Sequence, residues 1–158
     1  MPSDANETVF LTQSAEETIA RGRELAAGMA PPLLVLLSGD LGSGKTTLAK
    51  GIISGLGAAR EDEVTSPTFT LVHVFQNASR DTPEEGSPKP PKVYHADLYR
   101  IENFHDLETL GLEDALGESA ILVVEWSEKF HLASDWPRLE ISLEHLGSDT
   151  RRITVRKL

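Results

Sequence analysis

The stretch LLVLLSGDLGSGKTTLAKGIISGLG, residues 33–57, carries three signals in a row. Residues 33–38 are apolar up to Ser38, the composition of a parallel strand covered on both faces. Gly39, Gly44, Lys45 and Thr46 then fit G-x-x-x-x-G-K-[ST] at every position. Beyond the loop, Leu48, Ile52 and Leu56 recur at helical spacing, so a helix is expected from about Thr46 to Leu56, with Gly57 as its C-terminal cap. Strand, glycine loop and helix in that order make a phosphate-binding loop. The glycines let successive N–H groups curl inward onto phosphate oxygens, and the helix N-terminus adds partial positive charge. The expected nucleotide-binding set is Gly39, Asp40, Leu41, Gly42, Ser43, Gly44, Lys45, Thr46 and Thr47. Lys45 would reach the β/γ-phosphates, and the Thr46 hydroxyl would be a Mg²⁺ ligand.

The flanking sequence extends this unit into a domain. VFLT (9–12) reads as a short strand, and residues 14–29 read as a helix. That helix opens on Ser14 with Glu17 three positions on, a capping-box pattern, and places Ala15, Ile19, Gly22, Ala26 and Met29 on one face. TFTLVHVFQ (68–76) and KVYHADLYR (92–100) are rich in β-branched and aromatic residues and read as partner strands. Between them, residues 77–91 hold four of the chain's nine prolines and almost nothing apolar, which reads as a hairpin insertion. HDLETLGLEDAL (105–116) is helical with a break near Gly111, and AILVVEW (120–126) is a second buried strand. RLEISLEHL and TRRITVRKL alternate apolar and polar residues as a closing antiparallel pair. The fold class that follows is α/β, a three-layer P-loop NTPase-like fold with a mixed parallel and antiparallel sheet. With 158 residues the whole chain, 1–158, is expected to be one domain.

Composition bounds the function. A net charge of −10 disfavours direct binding of a nucleic-acid backbone, which draws its affinity from Lys and Arg. Cysteine is absent, so disulfides and thiolate metal sites are excluded. No apolar run approaches the ~20 residues of a membrane span, and MPSDANET lacks a signal-peptide pattern, so a cytoplasmic protein is expected.

A Mg²⁺–nucleotide site needs an acid near the end of a neighbouring apolar strand, and Glu125, after ILVV, has that position. Trp126 beside it either covers the nucleotide or packs as a core filler. TSPTFT (65–70) follows the loop helix where a γ-phosphate sensor can sit, with Thr65, Ser66 and Thr68 as hydroxyl donors; an ordinary turn into a strand is the alternative. In HADLYR, His95, Asp97 and Tyr99 share one strand face, with Ala96 and Leu98 on the other. That face lines the cleft or is a solvent-facing edge. In the cleft, Asp97 can orient water or a metal-bound water, and Arg100 can pair with Asp97 or with phosphate.

GDLGSGKTT, SPTF, HADLYR, LGLED and EWSEK, in this order and spacing, resemble the TsaE (YjeE-type) family over essentially the whole chain from about Ser14. The resemblance implies an ATPase of bacterial tRNA threonylcarbamoyladenosine synthesis that uses ATP and Mg²⁺ and acts with the TsaD and TsaB subunits. In such a complex TsaD transfers the group to the adenosine beside the anticodon, and tRNA contact by the ATPase is indirect. The resemblance also implies Lys45, Thr46, Asp97, Glu125 and Thr68 as the catalytic and metal-side residues, and places the adenine end near Ser14 and Thr150. Two other readings use the same loop: a small-molecule kinase, which would add an Arg-rich lid and a helical substrate region absent here, and a nucleotide-sensing scaffold that never needs hydrolysis.

Overall fold

Apolar runs in the interior of the chain become the middle of one seven-stranded sheet. The computed structural model describes residues 6–65, 67, 72–75, 91–108, 110–112, 115, 119–129 and 134–157. The strands are β1 (Glu7–Thr12), β2 (Leu33–Ser38), β3 (Val72–Phe75), β4 (Val93–Asp97), β5 (Ile121–Glu125), β6 (Arg138–Gly147) and β7 (Thr150–Lys157). Their order is β1-β7-β6-β2-β5-β4-β3. β6, β2, β5 and β4 are parallel neighbours, while β3–β4, β6–β7 and β1–β7 pair antiparallel. The mixed sheet expected from sequence is the one observed.

The three layers follow from strand parity. Val35, Leu37, Val123, Ile141 and Ile153 face helices α1 (Ala15–Ala26) and α2 (Lys45–Gly55), forming one core with Leu48 and Ile52. Leu34, Leu36, Leu122 and Val124 face the other way and pack with Leu98, Leu112 and Leu107 of the short helix α3 (Phe104–Glu108). Both faces of β2 and β5 are covered, which is why these strands read as unbroken apolar runs. No described helix is long and apolar enough to cross a membrane.

Several boundaries differ from the sequence expectation. α2 starts at Lys45 rather than Thr46, because Gly44 in the left-handed region (φ 104°) is already its N-cap; Gly57 (φ 76°) follows its C-cap, Leu56. β1 begins two residues before VFLT, at Glu7, where pairing with Arg156 extends it. The Ser14 hydroxyl accepts from Glu17 N as expected, but the Glu17 carboxylate accepts from Gln13 N instead of closing the box on Ser14. On α1, Gly22 and Ala26 are buried and Met29 packs on the core as expected, while in the first turns Thr18 is buried, Ile19 is half-buried and Ala15 is exposed. The strand expected over 92–100 ends at Asp97, and Tyr99 and Arg100 form a turn. β4 is an interior strand rather than a solvent-facing edge: β3 and β5 flank it and His95 is fully buried. The antiparallel β3–β4 pairing fits a hairpin, while the insertion itself lies, apart from Pro91, outside the described residues.

Candidate functional site

The parallel register brings the carboxyl ends of β2, β5 and β4 level, with Leu37 opposite Glu125 and Glu125 opposite Asp97. Ligands in open α/β sheets bind outside this edge, because the loops leaving the strands diverge there. The glycine loop leaves β2 at that edge. Gly39 (φ 141°) passes so close to β6 that a Cβ would lie 2.5 Å from Leu143 O, a contact only glycine avoids.

Lys45 is the loop's cation, and it is buried. Its Nζ donates to Gly39 O (2.6 Å), Asp40 O (2.9 Å) and Ser43 Oγ (3.4 Å), and lies 3.9 Å from the centre of the Trp126 ring. Burial lowers its pKa, and the carboxylates of Glu128, Glu125, Asp97 and Asp40 oppose that shift without cancelling it. Trp126 has φ 61°, an uncommon conformation for a bulky residue, at the point where β5 ends. Its ring meets Tyr99 at 5.0 Å, so it both packs against the second core and walls the cleft.

Below the loop runs a chain of polar groups, half-buried at Thr46 and buried at Glu125 and His95. Thr46 Oγ1 donates to Glu125 Oε1 at 2.8 Å, and Glu125 Oε2 lies 2.5 Å from His95 Nε2. An ionised carboxylate can only accept, so Nε2 is the donor, which leaves Nδ1 buried without a partner among the described residues. Across the strand pair, His73 stands opposite His95 with ring centres 6.3 Å apart; burial, then the charge of its neighbour, lowers its pKa. Asp97 is buried beside Glu125 and its Oδ1 accepts from Tyr99 N at 2.8 Å. Glu128, in the turn after β5, accepts from Gly39 N at 3.1 Å.

Thr46 and Glu125 supply two hard oxygens at the foot of the loop. No group of three or more His, Cys, Asp or Glu residues able to hold a metal occurs among the described residues. Magnesium is usually held by one or two protein oxygens together with substrate phosphates and waters, so this donor set fits Mg²⁺ arriving with a nucleotide.

The cleft, about 320 Å³, is lined by Lys45, Thr46, Asp97, Glu125, Trp126 and Arg151 among others. A smaller pocket of about 80 Å³ adjoins it, lined by Ser14, Thr18, Thr47, Asp149 and Arg151. Gly44 lines both. The sequence candidates Leu41, Gly42, Gly44, Lys45, Thr46, Thr47, Asp97 and Glu125 therefore meet in one cleft, and Ser14 lines its neighbour. Thr150 lines neither pocket and donates to Gln13 Oε1 at 2.8 Å, while its neighbours Asp149 and Arg151 line the smaller one. Ser66 and Thr68 lie outside the described residues, and Thr65 is exposed.

Sequence reasoning missed His95 as the partner of Glu125, Glu128 at Gly39, and Arg151. A signal for Arg151 was present. It has the parity of the buried Ile153 and Val155, so TRRITVRKL places an arginine on the inward face of an alternating strand.

Comparison with known proteins agrees with this architecture. A Bacillus subtilis tRNA threonylcarbamoyladenosine biosynthesis protein TsaE is 35% identical over 143 residues, covering 90% of this chain and 81% of the relative. A protein of the same name from Treponema pallidum is 32% identical over 147 residues, covering 92% and 97%. The crystal structure of Bacillus subtilis YdiB superposes with a TM-score of 0.70 at 28% identity, covering 96% of this chain and 85% of that one. Residues 12–153 match the family model described as threonylcarbamoyl adenosine biosynthesis protein TsaE, and the chain belongs to that family.

Proposed function

We propose that this chain is the ATP-binding and ATP-hydrolysing subunit required for N6-threonylcarbamoyladenosine modification of tRNA, a single cytoplasmic domain over 1–158. It acts with TsaD and TsaB and does not itself transfer the group. The observation that carries this reading is the Thr46–Glu125–His95 chain at the foot of the loop, half-buried at Thr46 and buried at Glu125 and His95. It fixes one hydroxyl and one carboxylate oxygen at the foot of a phosphate-binding loop, before any ligand arrives.

In this reading the loop amides and the α2 N-terminus bind the phosphates, and Lys45 leaves its own loop carbonyls to reach the β/γ-phosphates. Thr46 and Glu125 would hold Mg²⁺, which would neutralise phosphate charge. Asp97, oriented by the amide of Tyr99, accepts a hydrogen bond from the attacking water. Trp126 and Tyr99 keep bulk water from the reacting end. Thr68 acts as the γ-phosphate sensor, a role supported by the SPTF motif. The family relationship supports the tRNA modification, and the net charge of −10 supports tRNA being held by the partners.

The test is ATP turnover by the chain alone and with a TsaB–TsaD pair, with and without Asp97→Ala. Slow turnover alone, stimulation by the pair and a loss of roughly 10²-fold or more in the variant are expected, in line with removal of a general-base group. No stimulation by the pair, together with normal modification when this protein is depleted, overturns the proposal.

A further inference from the structure

Arg151 stands apart from the arginines that form ion pairs. Arg21, Arg23, Arg60, Arg152 and Arg156 each meet a carboxylate: Glu24, Glu61, Asp62 with Glu63, Glu144 and Glu7 respectively. Arg151 forms no ion pair among the described residues, and its recorded hydrogen bond runs from Nη1 to Thr150 O at a long 3.3 Å. A half-buried guanidinium with five donors and so few acceptors is matched to something that arrives.

Its position says which chemistry. The side chain lies over the loop-to-helix junction: a Cβ on Gly44 would be 3.6 Å from Arg151 Nε and 3.9 Å from its Cδ. It lines both pockets, so it stands on their shared boundary. On one side are Lys45, Thr46 and Glu125, which take the metal-bound end of a polyphosphate. On the other are Ser14, Thr18 and Asp149, hydroxyl and carboxylate groups suited to a neutral hydroxylated moiety and hostile to a second anion. We propose that Arg151 is a nucleotide-binding arginine that contacts the phosphate nearest the nucleoside, across the loop from Lys45. This rests on the adenine-nucleotide reading above and adds a residue to it. A planar fork on β7 grips two phosphate oxygens from the side opposite the loop amides, so the phosphate chain is held between two elements.

The test is calorimetric titration of ATP, ADP and adenosine into wild type, Arg151→Gln and Arg151→Lys, each checked for an unchanged thermal midpoint. ATP and ADP affinity should both fall about tenfold in Arg151→Gln, the worth of one charge-assisted contact, and less in Arg151→Lys. Adenosine binding should not change, and turnover at saturating ATP should be nearly kept while KM rises. Unchanged ATP and ADP affinity overturns the inference and leaves the nucleotide reading intact. A loss confined to ATP overturns it by moving the contact to the far phosphate. Wild type that binds no adenine nucleotide overturns both.

Discussion

His95 has no exposed surface, yet it governs how the acid beneath the loop is held. Glu125 has one oxygen on Thr46 and the other on His95, so removing the ring leaves a buried carboxylate oxygen without its donor. His95→Ala combines that loss with a cavity and should lower the unfolding free energy by about 3 kcal/mol, measured by urea denaturation. His95→Gln, whose amide can again donate, should lose less; equal losses would show that only volume matters at this position. Lys45, Thr46 and Glu125 were legible in the sequence because each sits within a contiguous motif or directly after an apolar run. The His95–Glu125 bond was not, because it depends on the register between β4 and β5, strands 30 residues apart at this pair.

At the scale of elements, the pairing of α1 with α2 holds the loop helix in place, and it depends on glycine. A Cβ on Gly51 would lie 2.1 Å from Ile19 O, and one on Gly22 would lie 2.7 Å from Leu48 O. The two backbones meet with no side chain between them. Gly51→Ala gains about 1 kcal/mol of helix propensity. Overpacking costs up to about 3 kcal/mol, so the net loss should be about 2 kcal/mol. In a chain of this size that is a drop of roughly 6 °C in thermal midpoint, while Gly28→Ala, whose nearest neighbour would be Leu25 O at 3.8 Å, should change little. The helices themselves were readable from periodicity. Their separation was not, because a glycine that caps, one that loosens and one that permits contact look alike in sequence.

For the molecule as a whole, the net charge bears on contact with tRNA. With a net charge of −10, the chain alone should show no micromolar binding of tRNA at about 0.15 M salt. Fluorescence anisotropy with labelled tRNA checks this, and tight, salt-sensitive binding would show a basic surface that the overall charge hides. The mixed sheet and its layers were legible because β2 and β5 are apolar on both faces while β6 and β7 alternate. The pairing of β1 with β7 was not, since nothing local in VFLT names a partner beyond 130 residues away.

That pairing has a consequence for the order of assembly. The glycine loop and α2 follow β2 directly in sequence, whereas β1 reaches its partner from the far end of the described chain: Glu7 meets Arg156 across 149 residues. Closing so long a loop costs entropy that only the finished sheet edge offsets, so this seam joins late and parts early. Arg151 stands on β7 directly behind the seam, opposite Thr12. The wall of the cleft opposite the glycine loop therefore becomes rigid only when the two distant ends of the described chain are zipped together.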